Sequence, residues 1–256
     1  MEAMDTEQLL DFCCEMGREL LRNGAEIYRV EDSVDRILAA YGYQEVEVFA
    51  IPSCIILNIR DETRNYAKAV RIRAVANNMD KLDRLNGLCR QVCQEKPEVE
   101  VAFARLQAIE EAPAYPPWAV SLAYGSTALF FTLFWGGHFL DALIAFACGL
   151  MVKSTVGYMR RVNANVFFTY VCASMLLMLP PVALAALGAG IHTDMVVIGA
   201  IMLLVPGLAI TNMMRDVITG DFLTALTRFA EVMIVAMAIA IGIAIPYGIA
   251  RVWFGI

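Results

Sequence analysis

Pro206, Gly207, Asn212, Asp216, Arg228 and Glu231 are the residues whose types and spacing could do chemistry in this chain. The first two interrupt the apolar run Leu203-Leu204-Val205-Pro206-Gly207-Leu208-Ala209-Ile210. Proline removes a backbone donor and glycine adds no side-chain bulk, so a break in the helix is expected here. In lipid such a break persists only where protein or a water-filled cavity satisfies the freed backbone groups, and transporters aim broken helices at their substrates. A packing kink is the other reading, because Pro and Gly are frequent in transmembrane helices. At about 1.5 Å per residue Pro206 lies roughly 18 Å along from Asp194, inside the bilayer and toward its inner side. Below the break, Asn212 and Asp216 share one helix face at i, i+4 spacing. An Asn there can orient a ligand by hydrogen bonds, Asp216 or Glu231 can carry a coupling proton, and Arg228 can hold a carboxylate or neutralise an acid. Arg228 and Glu231, three apart, can also simply pair with each other.

The elements that must position these residues follow from composition. The 256 residues are 59% hydrophobic. The mean hydropathy of +0.59 is too apolar for an ordinary soluble domain. Charge is concentrated in residues 1–111 and sparse in 112–256, which predicts a soluble domain followed by a membrane domain. The net charge of −6 argues against a nucleic-acid partner. The opening Met1-Glu2-Ala3-Met4-Asp5-Thr6-Glu7-Gln8 is acidic and no suitable apolar core follows, so no secretory signal is expected and the first domain is placed in the cytoplasm. Seven cysteines fit that reducing compartment as free thiols. Cys89 and Cys93 stand one helical turn apart and could ligate a metal, but no second Cys/His pair supports them.

Residues 1–111 read as ααβββαα. Leu9, Cys13, Met16 and Leu20 recur at helical spacing after Thr6, a candidate N-cap, and Asn23-Gly24 closes that helix. Ile27, Val30, Val34, Ile37 and Tyr41 form a second apolar stripe, stopped by Gly42. Period-two alternation then marks strands around Val46–Ala50 and Ile55–Ile59, a turn at 61–65 and a third strand over Tyr66–Ile72. Helical spacing returns with Met79, Leu82, Leu85, Leu88 and Val92, and after Pro97 with Val99, Phe103, Leu106 and Ile109. The result is a small α+β domain with an antiparallel sheet. Its densest polar group is Glu26, Arg29, Glu31 and Asp32, where Arg29 and Asp32 can pair on the helix surface. The domain has no histidine, P-loop or GxGxxG, so a membrane-bound hydrolase is the least supported class and no cofactor is expected.

Beyond the linker 110–118, five apolar segments of about 118–135, 139–159, 164–187, 194–214 and 229–250 approach the ~20 residues needed to span. The fold class is therefore an α-helical membrane protein with five transmembrane helices behind an α+β cytoplasmic domain. Lys153 interrupts the second segment and can snorkel to the inner surface beside Arg160 and Arg161, which follow it, and Arg215 and Arg228 lie between the fourth and fifth. The connections near His138 and His192-Thr193-Asp194 carry no Lys or Arg. The positive-inside rule puts the basic connections inside and the C-terminus outside, with Arg251 a minor violation. Asp141 is expected at the outer interface.

Gly24-Ala25-Glu26-Ile27-Tyr28-Arg29-Val30-Glu31 resembles the opening motif of the threonine/serine exporter family. Leu204-Val205-Pro206-Gly207, then Asn212, Asp216, Gly220-Asp221 and Arg228, resembles the pattern of that family's last two spans. The likeness is to the larger subunit of the family's split form, in which a second, smaller membrane subunit supplies the remaining spans. It implies a multi-pass inner-membrane protein that is not an enzyme, works as an oligomer with that partner, and exports threonine, serine or a C4-dicarboxylate such as succinate on an ion gradient. The runner-up is a membrane-anchored regulatory or scaffold subunit whose cytoplasmic domain binds a ligand or a partner.

Overall fold

The computed structural model describes residues 6–60, 64–72, 77–113 and 115–254. Met1–Asp5 of the acidic opening, Asp61–Thr63 of the expected turn and Ala114 of the linker lie outside the described residues. The chain divides into two compact units, Met1–Pro113 and Ala114–Ile256.

In the first unit the order is α1 (Thr6–Arg22), α2 (Ile27–Ala40), β1 (Glu45–Ile51), β2 (Cys54–Arg60), β3 (Asn65–Arg71), α3 (Met79–Glu95) and α4 (Val99–Glu110). The three strands form one antiparallel sheet in the order β1-β2-β3. Val48 stands opposite Leu57 and Ala50 opposite Ile55. Alternation then sends Ala50, Ile55, Leu57 and Ile59 to the helices and leaves Phe49 and Ile56 exposed. The apolar stripes of α1 and α2 close on that face, with Phe12 edge-on to Phe103 of α4 at 5.4 Å between ring centroids. Thr6 lies within the helix instead of capping it, and its hydroxyl meets that of Tyr43 at 2.8 Å. Asn78 is a true cap, its side chain accepting from the Lys81 N–H at 3.1 Å.

The second unit holds α5 (Pro117–Phe134), α6 (Phe139–Arg161), α7 (Val166–Ala186), α8 (Thr193–Ile201), α9 (Gly207–Thr219) and α10 (Phe222–Phe254). Four of its helices, α5, α6, α7 and α10, are long and apolar enough to cross a membrane. The expected fourth segment, 194–214, is not one helix but two, of 9 and 13 residues. At about 1.5 Å per residue neither alone reaches across a hydrocarbon core of roughly 30 Å. The last helix begins at Phe222, not near 229, because Asp221 accepts from the Thr224 N–H at 3.3 Å and starts the helix ahead of the apolar stretch.

Close approach between these helices is made by glycine. A Cβ on Gly149 of α6 would stand 2.6 Å from the Tyr124 carbonyl oxygen of α5. One on Gly199 of α8 would stand 2.7 Å from the Thr132 nitrogen of α5, and one on Gly242 of α10 would strike the Ser174 hydroxyl and Val171 carbonyl of α7. Small residues let apolar helices pack backbone to backbone where no hydrophobic force separates helix from lipid. Gly149→Leu is expected to cost on the order of 3 kcal/mol or more by overpacking against backbone that cannot yield. A thermal unfolding curve of the detergent-solubilised chain checks this, and an unchanged midpoint would refute it.

Within α7, Pro181 leaves the Leu177 carbonyl without its helical donor. The Cys148 thiol of α6 donates to it at 3.5 Å. At one end of the bundle Asp141, 1% exposed, reaches back to the His138 N–H at 2.9 Å and across to the His192 N–H at 3.0 Å. Its second oxygen also stands 3.0 Å from His192 Nδ1, and the two histidine rings stack edge to face at 4.8 Å. One carboxylate thus ties the α5–α6 connection to the start of α8. Asp141→Ala would orphan both N–H groups and is expected to cost about 2–3 kcal/mol. Faster trypsin nicking at Arg160 or Arg161 in membranes would not report this; a lowered unfolding midpoint would, and Asp141→Asn should restore part of it.

Candidate functional site

The site is built where α8 stops. After Ile201 the chain tightens, with Leu204 N–H donating to the Ile201 carbonyl at 2.7 Å. It then turns at Pro206, which occupies the N-cap of α9 with φ −79° and ψ 62°. No side chain caps this helix start. A Cβ on Gly207 would meet nothing within 4 Å, so the first turn of α9 opens onto free space. The N–H groups of a helix start carry about half a positive charge between them, which makes this end a place for an anion. Thr211 returns its hydroxyl to the Gly207 carbonyl at 3.0 Å and so does not compete for that space.

One turn further on, Asn212 is half-buried and its side chain enters no hydrogen bond or ion pair among the described residues. Asp216 follows on the same face. Gly220, at φ 86°, adopts the left-handed conformation that ends α9 and folds α10 back against it. This hairpin brings Arg228 Nε to 3.0 Å from Asp216 Oδ2, with the two side chains only 14% and 3% exposed. The contact is an ion pair without a well-angled hydrogen bond on either atom. Thr224, fully buried one turn before Arg228, has a hydroxyl with no hydrogen-bond partner among the described residues. A buried charge pair next to an unsatisfied hydroxyl is a poor way to gain stability, since burial costs each group more than an imperfect pairing returns. It suits a place where another polar group is expected to arrive.

Glu231 is not the partner of Arg228, whose ion pair goes to Asp216. Thr224 and Ala238, seven residues either side of Glu231, are fully buried, and seven residues are nearly two whole turns. Glu231 therefore lies on the inward stripe of α10, yet it is exposed, so this stretch of the stripe is left uncovered. Asp216, Arg228 and, by helix face, Asn212 and Glu231 border one region, and the Pro206-Gly207 break lies at the other end of α9. Thr224 escaped the sequence reading because the last span was started after it. Its spacing of four from Arg228 was the available signal.

In the first unit, the charged residues of α2 serve local structure. Arg29 pairs with Glu26 at 3.1 Å, and Asp32 pairs with Arg36 at 2.9 Å, so the expected Arg29–Asp32 pair is not formed. Glu31 accepts from the Ala50 N–H of β1 at 2.8 Å, holding helix to sheet. Cys89 and Cys93 are free thiols, and burial pushes Cys89 up to about 12, which keeps it protonated and unreactive. Among the described residues no group of three or more His, Cys, Asp or Glu could hold a metal ion.

Comparison with known proteins adds sequence kinship to this geometry. Residues 11–250 match the family model described as "Putative threonine/serine exporter". The chain is 23% identical over 248 residues to the "Probable threonine/serine exporter" of Mycobacterium tuberculosis, covering 96% of this chain and 47% of that protein. It is 24% identical over 243 residues to the "Threonine/serine exporter" of Corynebacterium glutamicum, covering 92% and 50%. A shorter match, 27% identical over 165 residues, links it to "Pheromone-regulated membrane protein 10" of Candida albicans, covering 62% of this chain and 15% of that protein. The chain thus spans about half the length of the two exporters it matches. No solved structure matches it.

Proposed function

The chain belongs to the threonine/serine exporter family, a family of membrane transporters, and on that premise we propose that it is a subunit of a secondary-active inner-membrane exporter of small carboxylate metabolites. The observation that carries the reading is the broken segment itself: an uncapped α9 start at one end and a buried, poorly hydrogen-bonded Asp216–Arg228 pair at the other. The substrates are threonine and serine or a C4-dicarboxylate such as succinate. In this reading α8 and α9 together make the fourth of five crossings. The basic residues Lys153, Arg160, Arg161, Arg215 and Arg228 then face the cytoplasm with the first unit, and the C-terminus lies outside. A second, smaller membrane subunit completes the transport path.

The mechanism is a competition. A substrate carboxylate is drawn first to the α9 N–H groups, is oriented by Asn212 on its way along the helix, and then displaces Asp216 from Arg228, about 13 Å further on. Asp216 is then a buried carboxylate without its counter-charge, and binding a proton is the least costly way to remain there. Glu231, at the uncovered part of α10, passes that proton on. Substrate and proton thus move in linked steps on an ion gradient, without nucleotide.

A groove of about 560 Å³ in the first unit, lined by Tyr28, Arg29, Arg36, Asn86 and Arg90 among others, favours a second reading for that unit as a ligand-binding regulatory module. Export that survives removal of residues 1–111 would make the unit accessory. Loss of export with intact membrane insertion would make it a gate or assembly platform.

The deciding experiment is efflux of preloaded labelled threonine and succinate from cells carrying this chain alone or with the second subunit. Efflux only with both is the expected result. Efflux with neither, despite correct insertion of both, would overturn the exporter reading.

A further inference from the structure

A cavity of about 460 Å³ lies within the second unit, between the end of α7, the start of α8 and the far part of α10. Val182, Val197 and Ile243 give it apolar walls, and Thr193, Asp194 and Tyr247 give it polar groups. Among the described residues, no lysine, arginine or histidine lines it. Asp194 enters no hydrogen bond or ion pair among the described residues. The cavity is therefore apolar and concave, of the size that small-molecule sites take, and its one charged side chain is the Asp194 carboxylate, in the first turn of α8.

We propose that this cavity is a substrate site at the end of the bundle opposite the Asp216–Arg228 pair, that Asp194 holds a protonated amine there, and that the site takes a small zwitterionic amino acid and not a dicarboxylate. The ammonium sits against the exposed Asp194 carboxylate, where opposite charges attract at the open side of the cavity. The Thr193 and Tyr247 hydroxyls face the ligand's polar side, and the apolar wall receives a short side chain. A dianion finds no cation in this cavity and one carboxylate that repels it, so specificity comes from a built-in repulsion as much as from an attraction. A lipid acyl chain would fill the walls but leave Asp194 without a counter-charge. The inference rests on the exporter reading for its place in the transport path. It deepens that reading by adding an amine-recognising station at the far end of the path from Arg228, the two being occupied in turn because one small amino acid cannot span them.

The test is chemical protection in membranes containing the full chain and its second subunit. Thr193→Cys is labelled with a membrane-impermeant maleimide, with the unsubstituted chain as background for its own thiols. The probes are L-threonine, 1-amino-2-propanol (the same molecule without its carboxylate) and succinate. Threonine and the amino alcohol are expected to slow labelling roughly fivefold or more at concentrations well above their Kd, and succinate not at all. Asp194→Asn, nearly isosteric and exposed, should remove the protection while leaving the labelling rate without ligand unchanged. Equal protection by succinate, protection that persists in Asp194→Asn, or slowing by a short-chain phospholipid alone would each overturn the assignment. Threonine efflux from the same cells separates the two claims. Efflux without protection sinks the amine site and leaves the exporter. Protection without efflux from any variant sinks the exporter and leaves the site.

Discussion

Arg228→Met is expected to abolish export and to lower the stability of the second unit by about 3–5 kcal/mol, the usual cost of leaving one half of a buried ion pair uncompensated. Asp216, 3% exposed, is the half left behind. The size of the loss does not by itself distinguish function from folding, so the informative variant is the double one. Asp216→Asn with Arg228→Gln keeps shape and polarity and removes both charges. It should recover most of the unfolding midpoint, because two neutral amides cost far less to bury than one lone carboxylate. If the pair is the place where substrate and proton trade, export stays lost in the double variant. If export returns with stability, the pair only holds α9 to α10, and the competition mechanism is wrong. Uptake of labelled substrate into inside-out vesicles, which is export in that orientation, read beside thermal unfolding of the same preparation, gives both numbers.

The second large effect runs the other way in stability. Replacing Pro206-Gly207 by Ala-Ala removes residues that disfavour a helix interior by roughly 3 and 1 kcal/mol relative to alanine. The chain from Ile201 to Gly207 then has no local reason to leave the helix, and α8 and α9 are expected to fuse. A bias of only about 1.4 kcal/mol toward the fused form shifts the population tenfold. The variant should express normally and melt no lower than the parent, yet transport at least about tenfold more slowly by that arithmetic. Amide exchange at 202–206 reports the fusion directly as new protection. Fast export with the fusion in place would show that the break is only a packing kink.

These two sites were unequally legible in the sequence. The break was visible because Pro and Gly act through their own backbone, which is a local property. The first unit was readable for the same kind of reason: periods of 3.6 and 2 mark α1–α4 and the three strands to within about two residues, and a core face needs nothing but that period. Pairings were read poorly. Arg29 and Arg228 each have an acid three residues on, in Asp32 and Glu231, but bind Glu26 and Asp216 instead. A helical side chain has neighbours on both sides and, when half-buried, partners from another helix, and spacing cannot rank them. The start of α10 was placed late because hydropathy finds the apolar stretch, while the helix begins where Asp221 and Gly220 set up its first turn. Asp141 was expected at an interface, and its task could not be seen, since the partner His192 lies 51 residues away.

The glycines at 149, 199 and 242 carry a consequence for kinship. Each stands where any side chain would run into the backbone or a buried hydroxyl of the neighbouring helix. Exposed positions on the apolar helices, such as Phe130, Leu143 or Ile245, meet no such backbone and can drift more freely among apolar side chains. Identity to the exporters of Mycobacterium and Corynebacterium has fallen to 23% and 24%. At such distances the surviving signature of a shared bundle should be glycine itself at the three crossings, whatever else has changed, because even an alanine Cβ would stand under 3 Å from the neighbouring helix. A homologue carrying leucine at all three would have to pack its helices in another way, and would share this chain's ancestry without sharing its architecture.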